Sequence, residues 1–303
     1  GWYGLEKPSP LTSYYAIKVY GQSHVVCHNY IAYFHDGICI DTHGLPEGGK
    51  KRVSVDFYRN DIFNMADDFI EADGGSHNIR IFENRGFNAY HAALSAQPSF
   101  GGPVYFVRNE CYNVPGTALK YTIRPAGILT YNNTFVAEAA INNFSNGHFR
   151  NNLFIGHDDD RTALSATTYT NYSSFDYNGY RKKHHRNNFR LRYPMHDSLN
   201  HADDRELSFL EFATVKDLSK KTGFELHGVE LEGSIFENVP LPDPQRRGHV
   251  YPVEGYDFRL MPSTKAIDAG CILPNITDHY RGKAPDLGAL ENGGGIPHYG
   301  PRK

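Results

Sequence analysis

Hydrophobic and polar positions alternate in short bursts along this chain. Val53-Ser-Val-Asp-Phe-Tyr58, Asn78-Ile-Arg-Ile-Phe82 and Val104-Tyr-Phe-Val107 are examples. A period of two over four to six residues predicts half-buried strands rather than helices. Many bursts stop at an asparagine: Asn29, Asn60, Asn84, Asn109 and Asn133, with gaps of 31, 24, 25 and 24 residues. The first gap is longer because a polar insert, His43 to Arg52 with Pro46 and Gly48-Gly49, lies within it. A sixth member, Asn151-Asn152, follows after a shorter step.

Short strands joined by turns at a period near 24 residues predict a parallel β-solenoid. One coil cannot bury its own inner face, so stacking supplies the core. Asparagine at a fixed turn tolerates the left-handed conformation and can bond its counterpart in the next coil, so the ladder reads as structural. Helical repeats would need longer helical periods, and a leucine-rich repeat its Leu consensus; neither occurs.

The predicted fold is all-β, a right-handed parallel β-helix with one short helical insertion and a C-terminal capping segment. Regular coils occupy residues 1–160, and less regular coils with loops 161–260. A cap and tail over 261–303 are placed to cover the last open rung. Within the middle region, Asp158-Asp-Asp-Arg161 and Arg181-Lys-Lys-His-His-Arg186 read as solvated loops. Leu207 to Thr222 reads as the helix, with Leu210, Phe212, Val215 and Leu218 apolar and Gly223 as its stop.

The segments DDFIEADGGSHNIRIFENR, GGPVYFVRN, TALKYTIRPAGILTYNNT, AIDAGCILPN and APDLGALENG, with the Asn-ended coils, resemble the right-handed parallel β-helix repeat proteins. These are related to polysaccharide lyases, glycoside hydrolases and mannuronan epimerases, and the resemblance covers about residues 20 to 300. It implies the fold and a polysaccharide substrate, while the reaction has to be argued from the site. The β-helix lyases to which the chain is similar use a Lys or Arg base with Ca²⁺. Asp67-Asp68 resembles the Asp-Asp of polygalacturonase-like hydrolases, although their Gly-His-Gly motif is missing here.

Strand alternation sorts the residues that can do chemistry. Ile38, Ile40, Ile70, Ala72, Leu94, Ala96 and Leu119 form the inward set. Cys39 and Asp41, Glu71 and Asp73, Ser95 and Gln97, and Lys120 and Thr122 then form two outward columns on an exposed sheet. His35, Asp67 or Asp68, and His91 fall at the turn before. So many acids, with histidine and lysine, over four coils stacked ~4.8 Å apart point to a functional cluster.

Three functions fit it. In a lyase, Lys120 or His91 would remove the proton α to a uronate carboxylate, Arg124 would neutralise charge, and Glu71 would join them. His35, Asp41, Gln97 and Tyr121 would contact the sugar, and Asp41, Glu71 and Asp73 supply oxygens of the kind Ca²⁺ takes. In a glycoside hydrolase, Asp41 paired with Glu71 or Asp73 would act as two carboxylates on neighbouring coils. A non-catalytic glycan-binding or structural module is the third. The leading expectation is β-elimination on an acidic, uronate-containing or sulfated polysaccharide.

Composition narrows the partners. Net charge is −3 and pI about 6.6, with no global basic field for nucleic acid. No apolar run reaches the length of an ordinary spanning helix, so membrane insertion is not expected. Tyr and Phe number 21 and 19 against one Trp, and most of them are needed inside the coils. Cys27, Cys39, Cys111 and Cys271 form no CxxC pair and read as buried or free thiols. No histidine falls in HxH or HExxH spacing, which argues against a zinc hydrolase. Asn132, Asn143, Asn171 and Asn275 begin glycosylation sequons. Gly1-Trp-Tyr-Gly looks like a processed end or a start partway into a longer protein, and an extracellular or periplasmic location is expected.

Overall fold

The computed structural model describes residues 15–40, 51–184, 186–194 and 207–302. The chain is a right-handed parallel β-helix of about seven turns. Each regular coil passes through three sheets in the same order. Sheet A contains Tyr15–Val19, Asp36–Ile40, Asp68–Glu71, Ala92–Ser95 and Thr117–Lys120. Sheet B starts with Val25–Cys27, Val53–Tyr58, His77–Phe82, Val104–Val107 and Ala126–Tyr131. Sheet C starts with Tyr30–Ala32, Asp61–Met65, Arg85–Ala89, Glu110–Val114 and Thr134–Ala137. Later, the long strand Ala140–Arg150 rounds a corner: its start pairs with Leu164–Thr168 and its end with Ala126–Tyr131 and Ser174–Asp176.

The alternation seen in the sequence sets the interior. Val53–Tyr58 buries Val55 and Phe57 completely, while Ser54, Asp56 and Tyr58 stay partly exposed. In sheet A, Ile38, Ile70, Leu94 and Leu119 stand in register, one per coil. Aromatic rings continue the stacking inside, with Phe135, Phe154 and Tyr180 parallel at centroid spacings of 5.6 and 5.5 Å. Gly86 makes room for this interior: a Cβ there would lie 2.5 Å from the Phe69 ring.

The asparagine ladder lies at the corner from sheet B to sheet C. Asn29, Asn60, Asn84, Asn109, Asn133, Asn152 and Asn178 each receive two bonds on Oδ1, or donate two to the next Oδ1, along the stack. The left-handed residue is the one before, at φ between 50° and 57° from His28 to Tyr177, and not the ladder asparagine itself. That placement lets the asparagine amide point into the coil and cross-link backbone carbonyls. Asn132, the first sequon asparagine, is fully buried and so is no glycan acceptor in the folded chain.

Glu225 ends the ladder. Its carboxylate accepts from Asn178 N and Nδ2 at 3.2 and 2.7 Å and from the Tyr180 hydroxyl at 2.7 Å. The cover of the last coil comes from this region. The segment predicted to be one helix divides into a strand, Leu207–Phe212, antiparallel to Phe189–Pro194, and a helix, Val215–Thr222. Leu210 and Phe212 are two apart and pair across the sheet, while Val215 and Leu218 are three apart and bury a helix face. Thr214 caps the helix by accepting from Asp217 N, and Gly223 ends it at φ 77°.

The C-terminal segment, predicted as an end cap, instead runs back along the side of the coils. Sheet C presents Phe63, Phe87, Tyr112, Val136 and Leu153 outward, and Phe236, Phe258, Leu260 and Leu287 cover them in a second hydrophobic core. An apolar outer face needs a lateral cover, which is why the segment lies there. Polar ties fix it: Asn151 Nδ2 donates to Cys271 O, Asn132 Nδ2 to Asp286 O, Tyr299 to Glu110, and Gly300 N to Arg59 O. All four cysteines are free thiols. No helix of the described residues is long and apolar enough to cross a membrane.

Burial pushes the Glu110 and Glu225 carboxyls up to about 7 from 4.5. Between those values the folded chain keeps a proton that the unfolded chain gives up. Their contribution therefore favours folding most at low pH and is lost as pH rises through 7. At about 1.4 kcal/mol per unit, each carboxyl accounts for up to about 3 kcal/mol. Urea denaturation at pH 5 and pH 8 should show the Glu110→Gln variant losing less stability across that interval than the unaltered chain. Equal losses would contradict this assignment.

Candidate functional site

The corner from sheet C to sheet A is built by a second asparagine stack. Asn64, Asn88 and Asn113 take φ of 57°, 64° and 55°, and each amide bonds the next at 2.9 and 2.8 Å. This left-handed step turns the chain out of sheet C. His35, Asp67 and His91 then fall one above another, with Asp67 N donating to His35 O and His91 N to Asp67 O. Gly116 closes the next coil against them, where a Cβ would lie 1.8 Å from the His91 carbonyl oxygen. Only glycine fits there.

Carboxylates from two neighbouring strands, Asp36–Ile40 and Asp68–Glu71, meet at this corner. Asp36 Oδ1 accepts from Asp68 N at 3.3 Å, and its Oδ2 lies 2.8 Å from His35 Nδ1. The oxygens of Asp36, Asp68 and Glu71 lie within 4.8 Å of one another. Lys120 lies two coils from Asp68 and reaches back across the small Ser95. Its Nζ is 2.7 Å from Asp68 Oδ2 and 3.2 Å from Asp67 Oδ1. His91 Nδ1 lies 3.4 Å from Asp67 Oδ1 and 3.9 Å from Asp68 Oδ1.

Accessibility divides the cluster. The side chains of Asp68, Asp67, Lys120 and His91 are 0, 7, 12 and 58 % exposed, so the corner opens toward His91 and is closed behind Asp68. Burial pushes the Asp68 carboxyl well above the usual range; Lys120 opposes this, and the charges of Asp67 and Asp36 add to it. Burial also pushes Glu71 up, reinforced by Asp73 and Asp68. Burial pulls on Lys120 in the opposite direction, but Asp68 and Asp67 outweigh it and hold the ammonium above its ordinary value. The corner therefore keeps one firmly protonated amine beside two carboxyls, Asp68 and Glu71, that release their protons late.

Register places Cys39, Glu71, Ser95 and Lys120 in one column, as the alternation predicts. The expectation of an exposed column is corrected, because Cys39, Glu71, Asp73, Ser95 and Gln97 are all buried. Asp73 accepts from Ser95 Oγ at 2.6 Å and Gln97 N at 2.8 Å, and burial raises it to about 7 against those bonds. Gln97 accepts through its side chain from Thr122 Oγ1, which joins it to this network. His35 is buried against Asp36, and Tyr121 points into the core against Phe144. Arg124 is exposed and stacks on the Tyr169 ring at 4.7 Å. Asp41 lies outside the described residues.

Of the residues expected to do chemistry, the structure brings together Glu71, His91 and Lys120. Asp36 joins them unforeseen, and Asp67 and Asp68 move from the margin to the centre. The signal was their shared position, at the start of a sheet A strand in successive coils. Asp36, Asp67, Asp68, Glu71, His35 and His91 include the groups able to hold a metal, in the sets Asp36–Asp68–Glu71, His35–Asp36–Asp67 and Asp67–Asp68–His91.

Farther along the same corner lies a polar knot that sequence reading missed. Lys183, read as part of a solvated run, is fully buried with Nζ donating to Glu138 Oε2 at 2.6 Å, Asp158 O at 2.8 Å and Thr162 O at 3.4 Å. Three acceptors satisfy the ammonium, and burial lowers its proton affinity. This knot is structural. No protein-family model matches the chain, and no curated protein matches it significantly.

Proposed function

We propose that this β-helix cleaves an acidic polysaccharide, outside the cell or in the periplasm, with the Asp36–Asp67–Asp68–Glu71 cluster as its acid and base. The observation that carries the proposal is the fully buried Asp68 carboxyl, pushed well above its usual range beside Asp67 and Lys120. Buried carboxyls that hold their protons, as Asp68 and Glu71 do, suit the acid of glycoside hydrolysis, which also needs a carboxylate as base. In that reaction the carboxyl proton goes to the glycosidic oxygen, the bond from that oxygen to the anomeric carbon breaks, and the leaving sugar departs as an alcohol. Water adds its hydroxyl to the anomeric carbon and gives its proton to a carboxylate. Asp67 and His91, on the open side, would meet the sugar, and Asp68 and Glu71 would hold the proton reserve behind them. A polymeric substrate is supported by the elongated fold only as an analogy to other β-helices.

The second reading is β-elimination, favoured by the exposed His91 imidazole at 3.4 Å from Asp67. Lys120, the other candidate base, is held protonated by two carboxylates and suits the role poorly. His91 would take the proton α to a uronate carboxylate while the β C–O bond breaks, leaving a carbon–carbon double bond. A Ca²⁺ ion in that reaction would neutralise the substrate carboxylate. Its ligands would be Asp36, Asp68 and Glu71, whose all-oxygen set suits it, with the Asp68 Oδ1 atom buried and without a hydrogen-bond partner. Asp73 is committed to Ser95 and Gln97.

Incubation with a panel of polyuronates and sulfated glycans, with and without Ca²⁺, separates these readings. Hydrolysis releases reducing ends with no gain in ultraviolet absorbance. Elimination produces both, because the unsaturated product absorbs. Neither signal across the panel would sink the enzymatic proposal and favour a non-catalytic glycan-binding module.

A further inference from the structure

The lateral C-terminal segment leaves a cleft of about 860 Å³ between itself and the outer face of sheet B, on a different sheet from the acidic corner. Its size falls in the range of small-ligand sites. Phe82, Tyr105 and Val107 form the floor, and Tyr58 stacks behind Phe82 at 4.9 Å with the rings 15° apart. Opposite stand Ile276, His279 and Arg281.

The wall is fixed before any ligand arrives. Arg108 donates to Ala289 O at 2.9 Å and twice to Ile276 O at 3.3 and 3.1 Å, tying both stretches of the wall to sheet B. The acids of the cleft are spent: Glu83 accepts from Arg59, and Glu291 accepts from Arg281 N and Asp286 N. Arg80 is likewise spent on Asp56. Among the described residues, the Arg281 guanidinium, the His279 ring and the Tyr105 hydroxyl have no hydrogen-bond partner. The cleft thus offers flat aromatic faces together with unspent donors, one of them a permanent cation.

We infer that this cleft is a second saccharide site, which holds a carboxylate-bearing sugar unit without cleaving it. The apolar C–H face of a pyranose packs on Phe82 and Tyr105, and the sugar carboxylate pairs with Arg281. The choice of an acidic sugar rests on the proposed function. The site itself needs no catalysis, because no carboxyl of the acidic corner lines it.

Calorimetric titration tests this with uronic-acid tetrasaccharides, of galacturonate, mannuronate and glucuronate-containing types, against maltotetraose. The Asp68→Asn chain is used so that no ligand is consumed, and the unaltered chain is titrated in parallel. At least one uronic tetrasaccharide should bind saturably, and about tenfold more tightly than maltotetraose. Tyr105→Ala and Arg281→Ala should each weaken that binding about tenfold or more, with the β-sheet circular dichroism unchanged. Absence of saturable binding in both chains overturns the inference. So does binding that survives both cleft substitutions, or binding abolished by Asp67→Asn. Cleavage with no cleft binding would leave the enzymatic proposal standing and remove this one.

Discussion

Replacing Asn109 with alanine should lower the free energy of unfolding by about 4 kcal/mol, against about 1 kcal/mol for Asn29→Ala. Asn109 lies in the middle of the ladder, where its Oδ1 accepts from Asn84 N and Nδ2 and its Nδ2 donates to Ile81 O and Asn133 Oδ1. Truncation leaves the Asn84 N–H and the Ile81 carbonyl buried without these partners. Each such group costs roughly 1–3 kcal/mol, and no water reaches a wholly buried rung to replace the amide. The Asn84 amide retains Phe57 O and Phe82 O, which limits the loss. Asn29 begins the ladder at a partly buried position, so solvent can take over its bonds. Urea denaturation of the two variants gives the comparison, and equal costs would refute the account.

Asp68→Asn should reduce turnover on the polysaccharide that the panel identifies by about 10² to 10⁴-fold, while leaving the fold as stable as before or slightly more so. The two halves of that expectation have one cause. Burial is the largest influence on Asp68 and works against its charged form, so an uncharged side chain of the same shape escapes that penalty. The asparagine oxygen can still accept from Lys120, which also keeps Asp67. What disappears is a proton that can be given and taken back. Activity and denaturation of the same preparation are the measurements. Full activity in the variant would remove Asp68 from the mechanism, and a stability loss of several kcal/mol would show that its charge holds the corner together.

The fold was legible because a repeat is a statement about stacking. Once Asn60, Asn84, Asn109 and Asn133 are known to recur, every residue at the same offset must be a neighbour, and Glu71, Ser95 and Lys120 do stand in register. Burial of that column was not legible, since the alternation of one strand tells which residues share a face and not whether that face meets solvent. Asp36 escaped notice because it opens its strand beside a turn, where period-two reasoning assigns no face. Lys183 looked solvated within a run of basic residues, and only folding shows that Glu138 waits for it from two coils away. Leu207–Phe212 passed for helix because Phe212, Val215 and Leu218 recur three apart, which carried the helical period back into the strand.

The lateral segment has a consequence for how the molecule comes apart. In an array where each coil touches only its neighbours, unfolding can proceed from either end and stop at any rung. Here the last residues bond to Arg59 near the beginning, while Cys271 bonds to Asn151 far along the stack. Fraying of an end coil then strips the segment from coils that are still intact and exposes Phe63, Phe87 and Tyr112 together. Partial unfolding loses its intermediate stopping points, and a chain built as a one-dimensional series melts as a single unit.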